Sequence, residues 1–175
     1  PYAGGTAHQL LIIEQISNSR ACWRESGNFP TRIEPLLLDY DFTGICDRRT
    51  DSNGYSLRVG GEDLNWRYQL RIQRQQNDLV LVAVPVVDRA LPPLEIGRTN
   101  GITTGFAKIN FNPGWRLTRR SFQGKLVGHT YLSNDRTLAS LNAGVIASRP
   151  PVVTPTPSPI PPRPIVSNPP VTRPV

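Results

Sequence analysis

The sequence lacks methionine altogether and has only two lysines, two histidines and two cysteines among its 175 residues. Since no apolar run approaches the roughly 18 residues that a membrane-spanning helix requires, we expect no membrane insertion. The absence of methionine, even at position 1, predicts a processed chain from which a leader has been removed. Neither cysteine has a second cysteine or a histidine at metal-ligand spacing, so we expect no metal site and no cofactor.

The sequence also lacks the short motifs that mark common enzyme classes. It contains no G-x-S-x-G, no H-E-x-x-H, no P-loop and no Gly-rich dinucleotide fingerprint. Three carboxylates are of the type that a glycoside hydrolase uses in pairs: Glu14, Glu25 and Glu34. One histidine has two serines and an aspartate near it in sequence: His129, with Ser121, Ser133 and Asp135. Because such groups are assembled in space rather than in sequence, these residues are weak candidates, and we predict that the protein is not an enzyme.

Basic residues outnumber acidic ones, but they are dispersed along the chain. Eighteen arginines and two lysines oppose 13 acidic residues, which gives a formal net charge of +7. Nucleic-acid binding depends on basic side chains gathered on one face, whereas several of these arginines alternate with apolar residues, as on the solvated face of a strand. We therefore predict that nucleic acid is not a partner and that an acidic polysaccharide is the polyanion such a surface favours.

Alternating segments bounded by turn residues indicate strands. Residues 66–73 alternate apolar and polar side chains, and residues 79–87 form a run rich in β-branched residues. Asn77-Asp78 lies between them as a turn, which predicts a hairpin. We expect Pro85 at the end of its strand or at a bulge, because proline cannot donate a hydrogen bond to a neighbouring strand.

A second hairpin is predicted around a tight turn at Gln123-Gly124, and residues 106–111 alternate as one further strand. The one candidate helix covers residues 135–146, with Ser133 or Asp135 as its cap. With about nine or ten short strands and frequent turns, the sequence predicts an all-β fold, an antiparallel sandwich or a barrel-like domain.

Asn53-Gly54 is the strongest turn signal in the chain, because both residue types readily take the positive φ of a type I′ hairpin turn. With Asp51 before it, the segment also resembles part of a calcium loop. The later acidic ligand and the flanking helices of an EF-hand are missing, however. A plain hairpin turn is therefore the expected structure.

The two cysteines, Cys22 and Cys46, allow two interpretations. One is a disulfide that closes a loop of about 25 residues and stabilises the fold by roughly 3 kcal/mol. The other is a pair of buried free thiols. A disulfide requires an oxidising compartment, so the first interpretation agrees with the missing methionine in predicting a secreted protein at the cell surface or outside the cell.

Aromatic residues are few, and they also allow two interpretations. Seven of them are large enough to form a sugar-stacking platform: Trp23, Trp66, Trp115, Tyr40, Tyr55, Tyr68 and Tyr131. At alternating strand positions such residues more often belong to the hydrophobic core. Core packing is therefore the favoured interpretation for most of them.

Four stretches resemble a known family: HQLLIIEQISNSRACW (8–23), PLLLDYDFTGIC (35–46), TDSNGYSLR (50–58) and GWRLTRRSFQGKLVGHTYLSND (114–135). They are similar to an uncharacterised, secreted cyanobacterial domain of unknown function. The resemblance covers most of residues 8–135. It implies export by a cyanobacterium and implies that both cysteines belong to the family's pattern, and it supplies no catalytic residues.

Proline divides the chain into two parts. Eleven of the 18 prolines lie in residues 149–175, so we predict a β-sandwich body over residues 1–148 followed by an extended tail. A segment of this composition favours polyproline II. One interpretation is a linker or stalk, with Thr154, Thr156 and Ser158 as candidates for O-glycosylation.

The other interpretation is that the tail holds subunits together. Extended at about 3.1 Å per residue it reaches roughly 80 Å, twice the roughly 40 Å diameter of the body. Its apolar residues are candidate anchors for assembly: Val152, Val153, Ile160, Ile165, Val166, Val171 and Val175. We predict a secreted structural subunit that polymerises into an extracellular filament or surface layer, with its own copies as partners. The alternatives are a tail folded back on its own body, and a glycan-binding or adhesive module tethered to the cell envelope by its tail.

Overall fold

Short strands make up most of the computed structural model, which describes residues 7–36 and 41–147 and confirms the all-β prediction. In chain order the elements are β1 (Ile12–Gln15), β2 (Trp23–Ser26), β3 (Arg32–Pro35), β4 (Cys46–Arg49), β5 (Tyr55–Val59), β6 (Glu62–Asp63), β7 (Tyr68–Gln75), β8 (Asp78–Pro85), β9 (Leu94–Arg98), β10 (Phe106–Ala107), β11 (Asn110–Phe111), β12 (Arg116–Phe122), β13 (Lys125–Asn134) and α1 (Leu138–Ala147). The strands form four sheets, and one of these sheets is curled into a half-barrel. The seven tail anchors and the three candidate glycosylation residues lie outside the described residues.

The first four-stranded sheet has the order β11-β9-β8-β7 and contains the predicted hairpin. β7 and β8 pair antiparallel over their full length, from Tyr68 opposite Pro85 to Gln75 opposite Asp78. Six of the eight β8 residues are buried, because this strand lies between two neighbours in the sheet, and Pro85 ends it as predicted. The turn falls one residue earlier than Asn77-Asp78, with Gln76 at a φ of 54°.

The second four-stranded sheet has the order β12-β13-β5-β6. β12 and β13 form the predicted hairpin around Gln123-Gly124. β5 joins them by a parallel pairing with β13, in which Leu57 lies opposite Leu132. The sequence does not predict this parallel pair, because its two strands are separated by some seventy residues and no local signal connects them.

The expected type I′ hairpin at Asn53-Gly54 is wrong. A turn is present, since Gly54 N donates to Asp51 O at 3.0 Å. However, β4 pairs with β1 and β5 pairs with β13 and β6, so the turn connects two strands that are not partners. Glycine is required for another reason: a Cβ at Gly54 would lie 2.8 Å from Cβ of Arg49.

Two small sheets complete the fold, β1-β4 and β10-β3-β2. The single strand expected over residues 106–111 is wrong, because β10 pairs with β3 whereas β11 pairs with β9. This segment therefore crosses from a small sheet to the first four-stranded sheet. The Cys22–Cys46 disulfide is present, as the favoured interpretation predicts, and joins the start of β2 to β4.

The hydrophobic core lies between the two larger sheets. Its largest fully buried aliphatic side chains come from both sheets and the segments beside them: Leu57, Leu64, Leu81, Ile96 and Leu132. The predicted helix is present as α1 and buries Leu141 against this core. Its cap is neither Ser133 nor Asp135, because Thr137 Oγ1 accepts the hydrogen bond from Ser140 N. Within residues 7–36 and 41–147, no helix has the length and apolar character needed to cross a membrane.

Asp78 stabilises the junction between β8 and the loop after β9. We therefore expect Asp78→Asn to lower the free energy of unfolding by about 2 kcal/mol at neutral pH. Burial alone would raise the pKa of Asp78, but hydrogen bonds from Gly101 N, Thr99 Oγ1 and Leu79 N, together with Arg98, hold that pKa below its usual value. A carboxylate whose pKa is lower in the folded state than in the unfolded state stabilises the fold at pH values above the unfolded-state pKa of about 3.9. This stabilisation is lost as the pH falls through the folded-state pKa.

Urea unfolding of the wild type and Asp78→Asn at a series of pH values tests this expectation. The difference in unfolding free energy between the two proteins should be constant near neutral pH and should shrink as the pH falls below about 4. Asp88→Asn, on an exposed turn, serves as the matched control and should change stability by less than about 0.5 kcal/mol. A difference between wild type and Asp78→Asn that does not vary with pH would contradict the proposed role of the carboxylate.

Candidate functional site

An open apolar groove lies on the surface of the described residues. Its volume is about 570 Å³, within the range of ligand-binding pockets. Its aromatic and aliphatic lining includes side chains of the β10-β3-β2 sheet and of residues 106–111: Trp23, Ile33, Pro35, Phe106, Ile109 and Phe111. Phe106 and Phe111 are 48% and 38% exposed, so the groove presents aromatic surface to solvent.

Local pairing of short strands builds the groove walls. Phe106 of β10 lies opposite Ile33 of β3, and the backbone continues this contact where Lys108 N donates to Thr31 O at 2.9 Å. Beyond it, β11 pairs with β9, and a Cβ at Gly97 would lie 2.5 Å from the Asn110 carbonyl oxygen. Glycine at this position therefore allows residues 106–111 to approach β9 closely while still lining the groove.

A single carboxylate forms the acidic part of this lining. Glu25 accepts hydrogen bonds from Lys108 Nζ at 3.0 Å and from Trp23 Nε1 at 3.1 Å. The bond from Lys108, and then that from Trp23, lowers the pKa of Glu25. The side chains of Glu25 and Lys108 are 39% and 47% exposed, so the pair lies at the solvent boundary of the groove. The groove thus combines aromatic surface with a charged rim.

The groove and the end of the described chain lie at opposite ends of the β7–β8 hairpin. Leu79 and Thr99, near the hairpin turn, line the groove. Asn142 of α1 lies beside Tyr68, at the open end of the same hairpin. Arg74, which pairs with Leu79, lies six residues or about 20 Å along the strand from Tyr68, and Ile72, which also lines the groove, lies four residues from Tyr68. The middle of α1 therefore packs near the end of the hairpin away from its turn.

The residues near His129 in sequence do not gather around it. Ser133 pairs with Thr118, at 2.6 Å between hydroxyl oxygens, and Asp135 pairs with Arg116. Instead, Ser56 Oγ of β5 lies 2.9 Å from His129 Nε2, a contact that depends on the parallel β5–β13 pairing.

The serine–histidine pair has one further polar neighbour on each side. His129 Nδ1 lies 3.1 Å from the Asn53 carbonyl oxygen, and Ser56 Oγ also lies 3.4 Å from Asp63 Oδ1. Ser56 is only 3% exposed, which closes its hydroxyl to a substrate. The pair therefore holds two strands of one sheet together. Sequence reasoning missed Ser56 because it lies within an ordinary alternating strand.

The three candidate carboxylates each have a basic partner and are not paired with one another. Glu14 contacts Arg49 and Arg119, and Glu34 contacts the exposed Arg24. Glu25 contacts Lys108 in the groove. Of the three, only Glu25 contributes to the candidate site. In residues 7–36 and 41–147, no three His, Cys, Asp or Glu side chains form a group that could hold a metal ion.

The aromatic residues divide between core and surface. Four of them are buried, as the favoured interpretation expects: Tyr55, Tyr68, Trp115 and Tyr131. Trp23 lines the groove, whereas Trp66 is 68% exposed elsewhere on the surface. Tyr40 lies outside the described residues.

Fold and site together define an all-β domain with a disulfide between two small sheets and an open aromatic groove on the same part of the body. The chain belongs to the family described as Protein of unknown function (DUF3747), whose family model matches residues 1–137. This confirms the sequence resemblance as far as a domain family of unknown function. No curated protein and no solved structure matches the chain.

Proposed function

We propose that the protein is a secreted structural subunit that assembles head to tail, with the Pro-rich tail of one copy docking on the body of the next. The observation that carries this proposal is the open aromatic groove on a chain whose sequence continues, after α1, into a proline-rich segment. Proline-rich segments bind to grooves lined by aromatic side chains, because a preset backbone loses little conformational entropy on binding. The chain therefore carries both a proline-rich ligand and a surface of the kind that binds one.

Docking between copies would join two different surfaces of the body. The tail follows an element at one end of the β7–β8 hairpin, and the groove lies at the other end. A contact between two different surfaces of identical subunits is heterologous, and it generates an open filament unless the rotation between subunits closes a ring. A reach of roughly 80 Å is ample for the tail to cross to a neighbour.

The proposed location is the cell surface or the extracellular space. The disulfide supports it, because such bonds persist in oxidising compartments and are rare where thiols are kept reduced. The family resemblance, which implies export by a cyanobacterium, agrees with this location. The resemblance supplies no catalytic residues, and a filament or surface-layer subunit needs none.

Removal of the tail is expected to abolish assembly. The purified full-length chain should form filaments or large oligomers in light scattering and negative-stain microscopy, whereas a chain ending at Ser148 should remain monomeric. A full-length variant with Ile160→Ser, Ile165→Ser and Val166→Ser is the matched control for chain length, since it keeps every proline and loses apolar anchors. This variant should remain monomeric, like the truncated chain. Circular dichroism should show the same strand content in the full-length, truncated and triple-serine proteins.

Monodisperse monomers in both the full-length and the truncated samples would refute assembly through the tail. The second candidate function, glycan binding, would then be tested at Trp66. Its indole is 68% exposed, the Arg67 guanidinium lies 5.8 Å from the ring, and Arg67 forms an ion pair with Glu62. An exposed indole beside hydrogen-bonding groups is suited to stacking on a sugar ring. A binding module would keep its affinity for acidic polysaccharide without the tail.

A further inference from the structure

We propose that Glu25 is the recognition residue of the groove and that it binds Arg163 of a neighbouring copy, with Ile160 and Val166 packing on the apolar lining on either side. This inference rests on the proposed function and specifies which residues of the tail and the body meet. It assigns the groove a defined ligand, a polyproline II segment that presents one arginine between two aliphatic side chains.

Charge in the groove leaves one position for a tail arginine. The lining contains Arg48, Lys108 and His8, and Glu25 carries the only carboxylate among the described residues that line it. The tail has three arginines and no acidic residue. Electrostatic complementarity therefore places a tail arginine next to Glu25 and away from Arg48.

The period of the tail selects Arg163 among the three arginines. Polyproline II has about three residues per turn, so in that conformation Ile160, Arg163 and Val166 would lie along one edge at intervals of roughly 9 Å. Arg173 has Pro170 at the corresponding position and only two residues after it. Arg149 follows Ala147 by two residues, about 6 Å of extended chain, and is too close to its own body to reach a neighbour's groove.

Recognition requires Arg163 to replace Lys108 as the partner of Glu25. Lys108 offers Glu25 a compact ammonium on an exposed, flexible side chain, whereas a guanidinium can donate two parallel hydrogen bonds to one carboxylate. When Arg163 takes this position, Lys108 is free to extend into solvent. Lys108 therefore competes with the tail, and its removal should favour assembly rather than weaken it.

Charge exchange in the full-length chain tests the pairing. Glu25→Arg and Arg163→Glu should each raise the protein concentration needed for assembly by about tenfold or more, as expected when one member of a close charge pair is reversed. The double variant Glu25→Arg/Arg163→Glu should restore assembly to within about threefold of the wild type. Lys108→Gln should lower the required concentration. Arg173→Glu, which makes the same charge change elsewhere in the tail, is the matched control and should have the smaller effect.

The outcomes separate this inference from the proposed function. If truncation abolishes assembly but Glu25→Arg and Arg163→Glu assemble like the wild type, the pairing is refuted and tail-mediated assembly still holds. If both single variants fail, keep wild-type thermal unfolding, and are not rescued in the double variant, the pairing is also refuted. If the full-length chain never assembles, the proposed function fails and this inference fails with it.

Discussion

Replacing both cysteines with alanine is expected to lower the free energy of unfolding by about 3 kcal/mol, because the Cys22–Cys46 bond closes a loop across a sequence separation of 24 residues. For a protein of this size the loss corresponds to a fall in melting temperature of about 6–12 °C. Cys22 is fully buried, so alanine at that position also leaves a small void. Urea unfolding monitored by tryptophan fluorescence measures the difference.

The disulfide also has a local effect beside the groove. It joins the β1-β4 sheet to the β10-β3-β2 sheet, and these two sheets share no strand pairing within the described residues. Both contribute lining to the groove. Loss of the bond should therefore weaken assembly more than the change in global stability alone predicts.

Adding a reductant provides the control for this prediction. Dithiothreitol should destabilise the wild type and should leave the double alanine variant unchanged, since that variant has no disulfide to reduce. If quantitative thiol labelling shows that both cysteines have been reduced while the unfolding free energy is unchanged, the stabilising role of the bond is refuted.

The sequence predicts local structure well where one hairpin supplies both partners. The β7–β8 pair follows from alternation in one segment and β-branched residues in the next, because the strands that face each other are neighbours in sequence. The same argument fails at Asn53-Gly54. These residues do form a turn, but β5 pairs with β13 and not with β4. Long-range packing determines this pairing.

The groove could not be predicted for a related reason. Strands of two to four residues form most of its walls, and such strands carry no period that a sequence pattern can reveal. Residues 106–111 alternate like one strand, yet the segment divides between two sheets because Gly97 lets β11 pack closely on β9. The sequence marks Glu25 only as a candidate hydrolase carboxylate, and the structure places it beside Trp23 and Lys108.

Arg49→Met is the second substitution expected to have a large effect, a loss of about 3 kcal/mol in the free energy of unfolding. The Arg49 side chain is only 3% exposed. Its Nε donates to the Gly128 carbonyl oxygen at 2.7 Å, and its two terminal nitrogens contact Glu14 at 3.2 Å and Asp47 at 2.9 Å. One buried guanidinium thereby links the β1-β4 sheet to β13.

Methionine keeps much of the aliphatic volume of arginine and removes all three contacts. Glu14 and Asp47 are 30% and 40% exposed, and Glu14 retains Arg119, so the carboxylates left behind remain partly solvated. This places the expected loss at the lower end of the range for breaking a buried ion pair. Arg49→Lys should give an intermediate loss, because an ammonium cannot reproduce the planar set of donors.

Arg24→Met is the matched control. Arg24 contacts Glu34 at 2.8 Å, a shorter distance than that between Arg49 and Glu14, but its side chain and that of Glu34 are 67% and 61% exposed. Exposed pairs contribute little because solvent screens them, so Arg24→Met should change the unfolding free energy by less than about 1 kcal/mol. Equal losses at Arg24 and Arg49 would show that burial does not determine the strength of these contacts, and would refute the role of Arg49 as the link between the two sheets.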